Sequence, residues 1–97
     1  MSDPLKIAVH GAAGRMGRRV VALAAADDSL EVIAAIENDQ SPLLGQDAGD
    51  LAGTETLDVA VASKWPTDAD VVIDFSLPEA IDRCIEKCEL HRTALVV

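Results

Sequence analysis

The sequence predicts an α/β fold, a doubly wound parallel sheet of strand order 3-2-1-4-5, and three observations predict it. An apolar run, Ile7 to Val9, passes into glycines at positions 11, 14 and 17 and then directly into a helical stretch. An acid, Glu37, closes the next apolar run 20 residues after Gly17. A later run, Ala69 to Ser76, is apolar on both faces, as a strand buried in a parallel sheet should be. Strand, glycine turn, helix, strand and acid in that order describe a Rossmann-like dinucleotide-binding unit. No Lys-Ser or Lys-Thr follows the last glycine, which excludes a P-loop.

The first strand is Ile7 to Val9. A helix follows from about Arg15, with Met16, Val20, Leu23 and Ala24 expected on its inward face. The glycine spacing is GxxGxxG, one residue off the usual GxGxxG. Such a turn needs a residue tolerant of a tight backbone, a residue without Cβ where a pyrophosphate approaches, and a small residue where helix meets strand. Gly11, Gly14 and Gly17 suit those roles; the bland alternative is an ordinary turn between packed elements. The start of the helix offers free N–H groups and the positive end of its dipole to an anion.

The second strand is Leu30 to Glu37, after a loop at Asp27-Asp28-Ser29. In such a sheet its carboxyl end reaches the adenosine ribose, so Glu37 can accept hydrogen bonds from the ribose hydroxyls, unless it is only a solvated acid at a strand end. Asn38 and Asp39 follow where a cation would be wanted for a 2′-phosphate. NADH is the preferred cofactor on this reading, with NADPH possible if Arg15 reaches that phosphate.

Residues 38–56 carry four turn-forming Gly and Pro residues and too little periodicity for a full crossover helix. One short helical turn is expected near Ala48 to Leu51, in a loop that is either functional or a plain connector. The third strand is expected at Leu57 to Val61, with a turn at Trp65-Pro66 and Trp65 assigned to packing. The fourth, Ala69 to Ser76, places Asp74, Phe75 and Ser76 at its carboxyl end, beside the glycine loop where strand order reverses and ligands bind. Asp74 serves equally well as an acid tying down backbone N–H groups. Ser76-Leu-Pro-Glu79 is a capping box for a helix over about 77–90, ended by His91 as a charge favourable to the dipole. Cys84 and Cys88, on a face with Ala80, Ile81 and Ile85, are expected as buried thiols and not as metal ligands. Thr93 to Val97 is the fifth strand. It wants cover on both faces, so the chain is expected to be the first part of something longer.

The 97 residues allow one small domain, and 49% hydrophobic residues suffice for a core. No apolar run nears the roughly 20 residues of a membrane span, and Met1 to Lys6 is not a signal peptide, so a soluble cytoplasmic protein is expected. The net charge of −9 is uneven, +3 over residues 1–26 and −12 over residues 27–97. Positive charge therefore gathers at the glycine loop, through Lys6, Arg15, Arg18 and Arg19. An acidic surface repels nucleic acid, while the local cluster suits one small phosphorylated ligand.

The loop GAAGRMGR, the strand end Ile36-Glu37, the segment SPLLGQDAGDLAG and the stretch VVIDFSLPEA together resemble the dihydrodipicolinate reductase family over the whole chain. The Leu43 to Gly53 run is the most particular of these. The resemblance implies a reductase of lysine and diaminopimelate biosynthesis that passes a hydride from NADH or NADPH to a cyclic dicarboxylate, as a homotetramer. It implies that Gly11, Ala12, Ala13, Gly14, Arg15 and Met16 hold the pyrophosphate, that Glu37 holds the ribose, and that Phe75 and Ser76 border the nicotinamide. Many members have arginine where this chain has Asn38, and a small or apolar residue where it has His10. The family's Gly-Thr-Thr-Gly turn, its histidine and lysine site and its substrate-binding, tetramer-forming domain would all lie after Val97. Residues 1–97 are thus expected to be an incomplete NAD(P)-binding domain, truncated after the fifth strand and inactive alone. Two other readings remain: the amino-terminal part of another dehydrogenase, such as an aspartate or homoserine dehydrogenase, and a non-catalytic NAD-binding regulatory module.

Overall fold

The computed structural model of the chain describes residues 3–75, 85 and 94–96. β1 (Leu5–His10) leads through the glycine turn to α1 (Arg15–Ala25), then to β2 (Leu30–Ile36), the short α2 (Ala48–Ala52), β3 (Val61–Ala62), β4 (Val71–Asp74) and β5 (Ala94–Val96). All neighbouring strands pair in parallel, in the order β3-β2-β1-β4-β5. This is the predicted order, with the order of strand addition, not strand direction, reversing between β1 and β4. The helix expected over 77–90, with Ser76, Cys84, Cys88 and His91, lies outside the described residues apart from Ile85. That residue, expected on a buried face, is helical and exposed.

β1 is the centre of the sheet, and Ile7, Ala8, Val9 and His10 are all buried. Alternation along a strand sends Ile7 and Val9 to one face and Ala8 and His10 to the other. The first face packs with Val21 and Ala24 of α1, Ala48 of α2, and Val32, Ala35 and Val61. The second packs Ala8 against Ile36 and Val72, under Trp65 and Leu95. β2 serves both clusters through an irregularity: Ile7 pairs with Val32 but Ala8 with Ala34, so Ile33 is the extra residue. A bulge inverts the alternation beyond it, turning Ala35 toward α1 and Ile36 away.

The inward face of α1 differs from expectation. Gly17, Val21 and Ala24 are buried, Val20 packs at the margin, and Met16 and Leu23 are 48% and 69% exposed. The reason lies at Gly17, where an added Cβ would overlap the Gly11 carbonyl oxygen and stand 2.8 Å from Ala12 Cα. Glycine permits this approach, and the residues one turn and two turns on, Val21 and Ala24, inherit the same face. Burying Val21 fully is worth roughly 1.5–3 kcal/mol, far more than the mostly exposed Leu23 can supply.

The third strand is also displaced, to Val61–Ala62 from the expected Leu57 to Val61. Asp58 has φ of 58°, a left-handed conformation that breaks an extended run. The stretch before β3 is instead folded about Asp47. One carboxylate oxygen of Asp47 accepts from Asp50 N (3.0 Å), capping α2, and from Leu57 N (3.0 Å), while the other accepts from Val59 N (2.8 Å). Gly49 has no room for a Cβ beside Glu55 O and Leu57, and Gly53, with φ of 79°, closes α2. These contacts account for Asp47, Gly49 and Gly53 in the Leu43 to Gly53 run.

The amide of Leu57, with those of Val59 and Asp50, holds the Asp47 carboxyl below its ordinary value of 3.8, against the opposing effect of desolvation. A depressed carboxyl stabilises the fold above the unfolded pKa and loses that contribution as pH falls through the folded one. Asp27, lowered by the hydroxyl and amide of Ser29, acts in the same direction. Asp47→Asn should therefore lower the urea midpoint at about pH 7, and its deficit should shrink as pH falls below the ordinary value of 3.8 and the wild type loses its own charge. A deficit independent of pH would mean that the carboxylate's charge is not what Asp47 contributes.

Candidate functional site

Backbone contacts shape the start of the glycine turn. Gly11 has φ of 81°, which costs a side-chain-bearing residue about 1 kcal/mol or more. The amides of Gly11 and Ala12 both reach Ile36 O, at 2.9 and 3.3 Å, and Gly14 N reaches Gly11 O at 3.1 Å. α1 then begins at Arg15 with Gly14 as its cap, no side-chain hydrogen bond on that cap and no acid in its first turn. The first-turn N–H groups and the positive end of the dipole thus face outward beside a residue that has no side chain. This arrangement fits an anion.

Glu37 follows β2 directly and is half-buried. Its Oε2 accepts a hydrogen bond from Ala13 N at 2.9 Å, while its own amide donates to Ala62 O. Arg18 donates from Nε to Ala13 O at 2.8 Å, so the peptide groups at Ala13 are held between a carboxylate and a guanidinium. Arg18 is thereby committed to the loop backbone, while Arg15, named for a 2′-phosphate, and Arg19 stand exposed. The structure brings Gly11, Ala12, Ala13, Gly14, Arg15, Met16, Gly17 and Glu37 to one end of the sheet. Phe75 joins them across the strand reversal, 40% exposed, its amide donating to His10 O at 2.9 Å. Ser76 lies outside the described residues.

Sequence reasoning gave His10 a packing role and left Asp74 open between the ligand crevice and a backbone role, without joining the two. Among the described residues they are the buried polar or charged ones, at 8% and 5% exposure, adjacent in register on β1 and β4. His10 Nδ1 stands 3.1 Å from Asp74 Oδ1. Trp65 closes over the imidazole, ring centroids 4.9 Å apart and planes inclined by 58°. A polar residue at position 10, with an acid at the end of the adjoining strand, was the available signal.

Comparison with known proteins shows what this geometry accompanies. A model of the amino-terminal part of dihydrodipicolinate reductase matches residues 5–97. The chain is 50% identical to a 4-hydroxy-tetrahydrodipicolinate reductase of Rhodopirellula baltica, over 99% of this chain and 36% of that protein. It is 42% identical to the reductase of the same name from Syntrophotalea carbinolica, over 96% of this chain and 36% of that one. The chain therefore spans about a third of the length of these relatives. Its fold is similar to that of a dipicolinate-bound dihydrodipicolinate reductase from Paenisporosarcina sp. TG-14, with a TM-score of 0.66, 15% identity, and 95% of this chain and 36% of that one covered. An amine dehydrogenase from Mycobacterium smegmatis shares the fold at a TM-score of 0.71 and 24% identity, covering 97% of this chain and 29% of that one.

The glycines separate by what surrounds them. Gly17→Ala must displace backbone and should cost about 1–3 kcal/mol. At Gly14 the backbone is extended and an added Cβ would meet Gly11 O only at 3.4 Å, so Gly14→Ala should cost under about 1 kcal/mol. Urea unfolding of the two variants checks the order; equal losses would mean that the approach at Gly17 does not limit the fold.

Proposed function

Because the chain belongs to the dihydrodipicolinate reductase family, matching its amino-terminal part, we propose that residues 1–97 form the dinucleotide-binding portion of such a reductase. The pyrophosphate lies on the start of α1 over Gly11 to Gly17, the adenosine ribose at Glu37, and the nicotinamide beside Phe75 and Ser76. A reduced nicotinamide held there would supply the hydride with which the whole enzyme, taking up a proton and releasing the 4-hydroxyl as water, converts 4-hydroxy-tetrahydrodipicolinate to tetrahydrodipicolinate in lysine and diaminopimelate biosynthesis, leaving the oxidised cofactor. The setting is the cytoplasm. Positioning and protonation of the acceptor fall to the remainder of the enzyme, which also forms the tetramer, so the 97 residues alone do not turn over.

The observation that carries this reading is the hydrogen bond from Ala13 N to Glu37 Oε2. It joins the acid after β2 to the turn before α1, the two features a dinucleotide spans. One carboxylate oxygen fixes the turn and leaves the other to accept from a ribose hydroxyl. Asn38 and Asp39, both exposed, add no cation for a 2′-phosphate, which supports a preference for NADH.

Charge-assisted hydrogen bonds contribute about 1.5–3 kcal/mol, so Glu37→Ala should weaken NADH roughly 10- to 150-fold. Trp65 emission and calorimetry, with NADH and with NADPH, provide the measurement, and circular dichroism verifies that the variant is folded. Folded wild-type chain that binds neither cofactor would remove the proposal.

A further inference from the structure

The His10–Asp74 pair has chemistry that cofactor binding as proposed above does not use. His10 closes β1 on the face opposite α1, and its side chain and that of Asp74 are only 10% and 2% exposed. The imidazole lines a cavity of about 120 Å³ together with Ile36, Glu37, Asn38, Asp39, Ser63 and Trp65. Around it, β4 contributes the carboxylate of Asp74, the segment after β2 contributes those of Glu37 and Asp39, and the segment after β3 contributes the uncharged Ser63 and Trp65. Arg18 of α1 is turned to Ala13 O. Among the described residues of this cavity, His10 alone can become a cation.

We propose that His10 determines how well the site accepts a 2′-phosphate, and hence the choice between NADPH and NADH, through its protonation. As imidazolium it offsets Asp74 and lowers the negative potential of the cavity. As neutral imidazole it leaves the carboxylates of Glu37 and Asp39 facing a phosphate dianion, with the buried charge of Asp74 behind the ring not offset. The inference rests on the dinucleotide reading, which places the adenosine ribose beside Glu37. Linkage fixes the sign: if a 2′-phosphate favours the protonated ring, protonation favours NADPH by the same factor, so NADPH weakens relative to NADH as pH rises through the titration of His10.

The test measures the dissociation constants of NADH and NADPH for the 97-residue chain and for His10→Asn by calorimetry, from about pH 6.5 to 8.5. The 2′-phosphate has its own second ionisation near pH 6, and the variant subtracts that contribution. Expected is a fall of about 5- to 20-fold in the NADPH-to-NADH affinity ratio of the wild type beyond that of the variant. In parallel, the His10 imidazole proton resonance, told from that of His91 by its loss in the variant, is titrated with each cofactor bound. Its midpoint should lie higher with NADPH than with NADH. Equal pH profiles in the two proteins, with both cofactors bound, overturn this inference and leave the dinucleotide reading standing. No binding of either cofactor to folded chain overturns both. Should His10→Asn fail to fold, the wild-type resonances assigned through Asp74 contacts decide, and equal midpoints overturn the proposal.

Discussion

The approach of α1 to the turn that precedes it governs much of this structure. With no Cβ at Gly17, the helix seats against the Gly11 carbonyl and Ala12. That seat sets the rotation of the helix about its axis. Val21 and Ala24 follow Gly17 onto the sheet, and Met16 and Leu23 are carried out to solvent although they are larger and more apolar. The same seat aims the start of the helix past Gly14, so packing and the geometry that suits an anion come from one backbone contact.

Two carboxylates then hold connections of the sheet in place, with different consequences. Asp47 uses both oxygens on the amides of Asp50, Leu57 and Val59, and it organises the long connection before β3. Glu37 uses one oxygen on Ala13 N. An acid whose oxygens are both engaged by backbone is a structural device, whereas an acid with one oxygen engaged is oriented and still able to accept. The difference follows from position: Asp47 lies within a loop that wraps around it, and Glu37 lies at a strand end that opens toward the turn.

The strand order, the glycine turn, the start of α1 and the short α2 were legible because each depends on local spacing or on a cap. The inward face of α1 was not. Apolar size favoured Met16 and Leu23, and the deciding contact at Gly17 involves an atom that is absent from the side chain. The position of β3 was obscured by Leu57 and Val59, which look like strand residues but donate their amides to Asp47. The bulge at Ile33 left no mark either, because every residue from Val32 to Ile36 is apolar and either register buries something. Within the candidate site, the loop and Glu37 could be read from spacing, whereas the His10–Asp74 contact required the pairing of β1 with β4.

That contact also explains how a buried histidine is tolerated at the centre of the sheet. Alternation along β1 places position 10 on the same face as Ala8, where the neighbours are Ile36, Val72 and Trp65. An isolated imidazolium in such surroundings is costly, and an isolated carboxylate more so. Parallel pairing sets His10 beside Asp74 and brings Nδ1 and Oδ1 to 3.1 Å, so each offsets the desolvation of the other. The pair lies in the last residues of both strands, where the sheet gives way to the ends that carry the turn and Glu37. The pair therefore sits at the opening of the sheet, a few residues from the groups proposed to meet a dinucleotide.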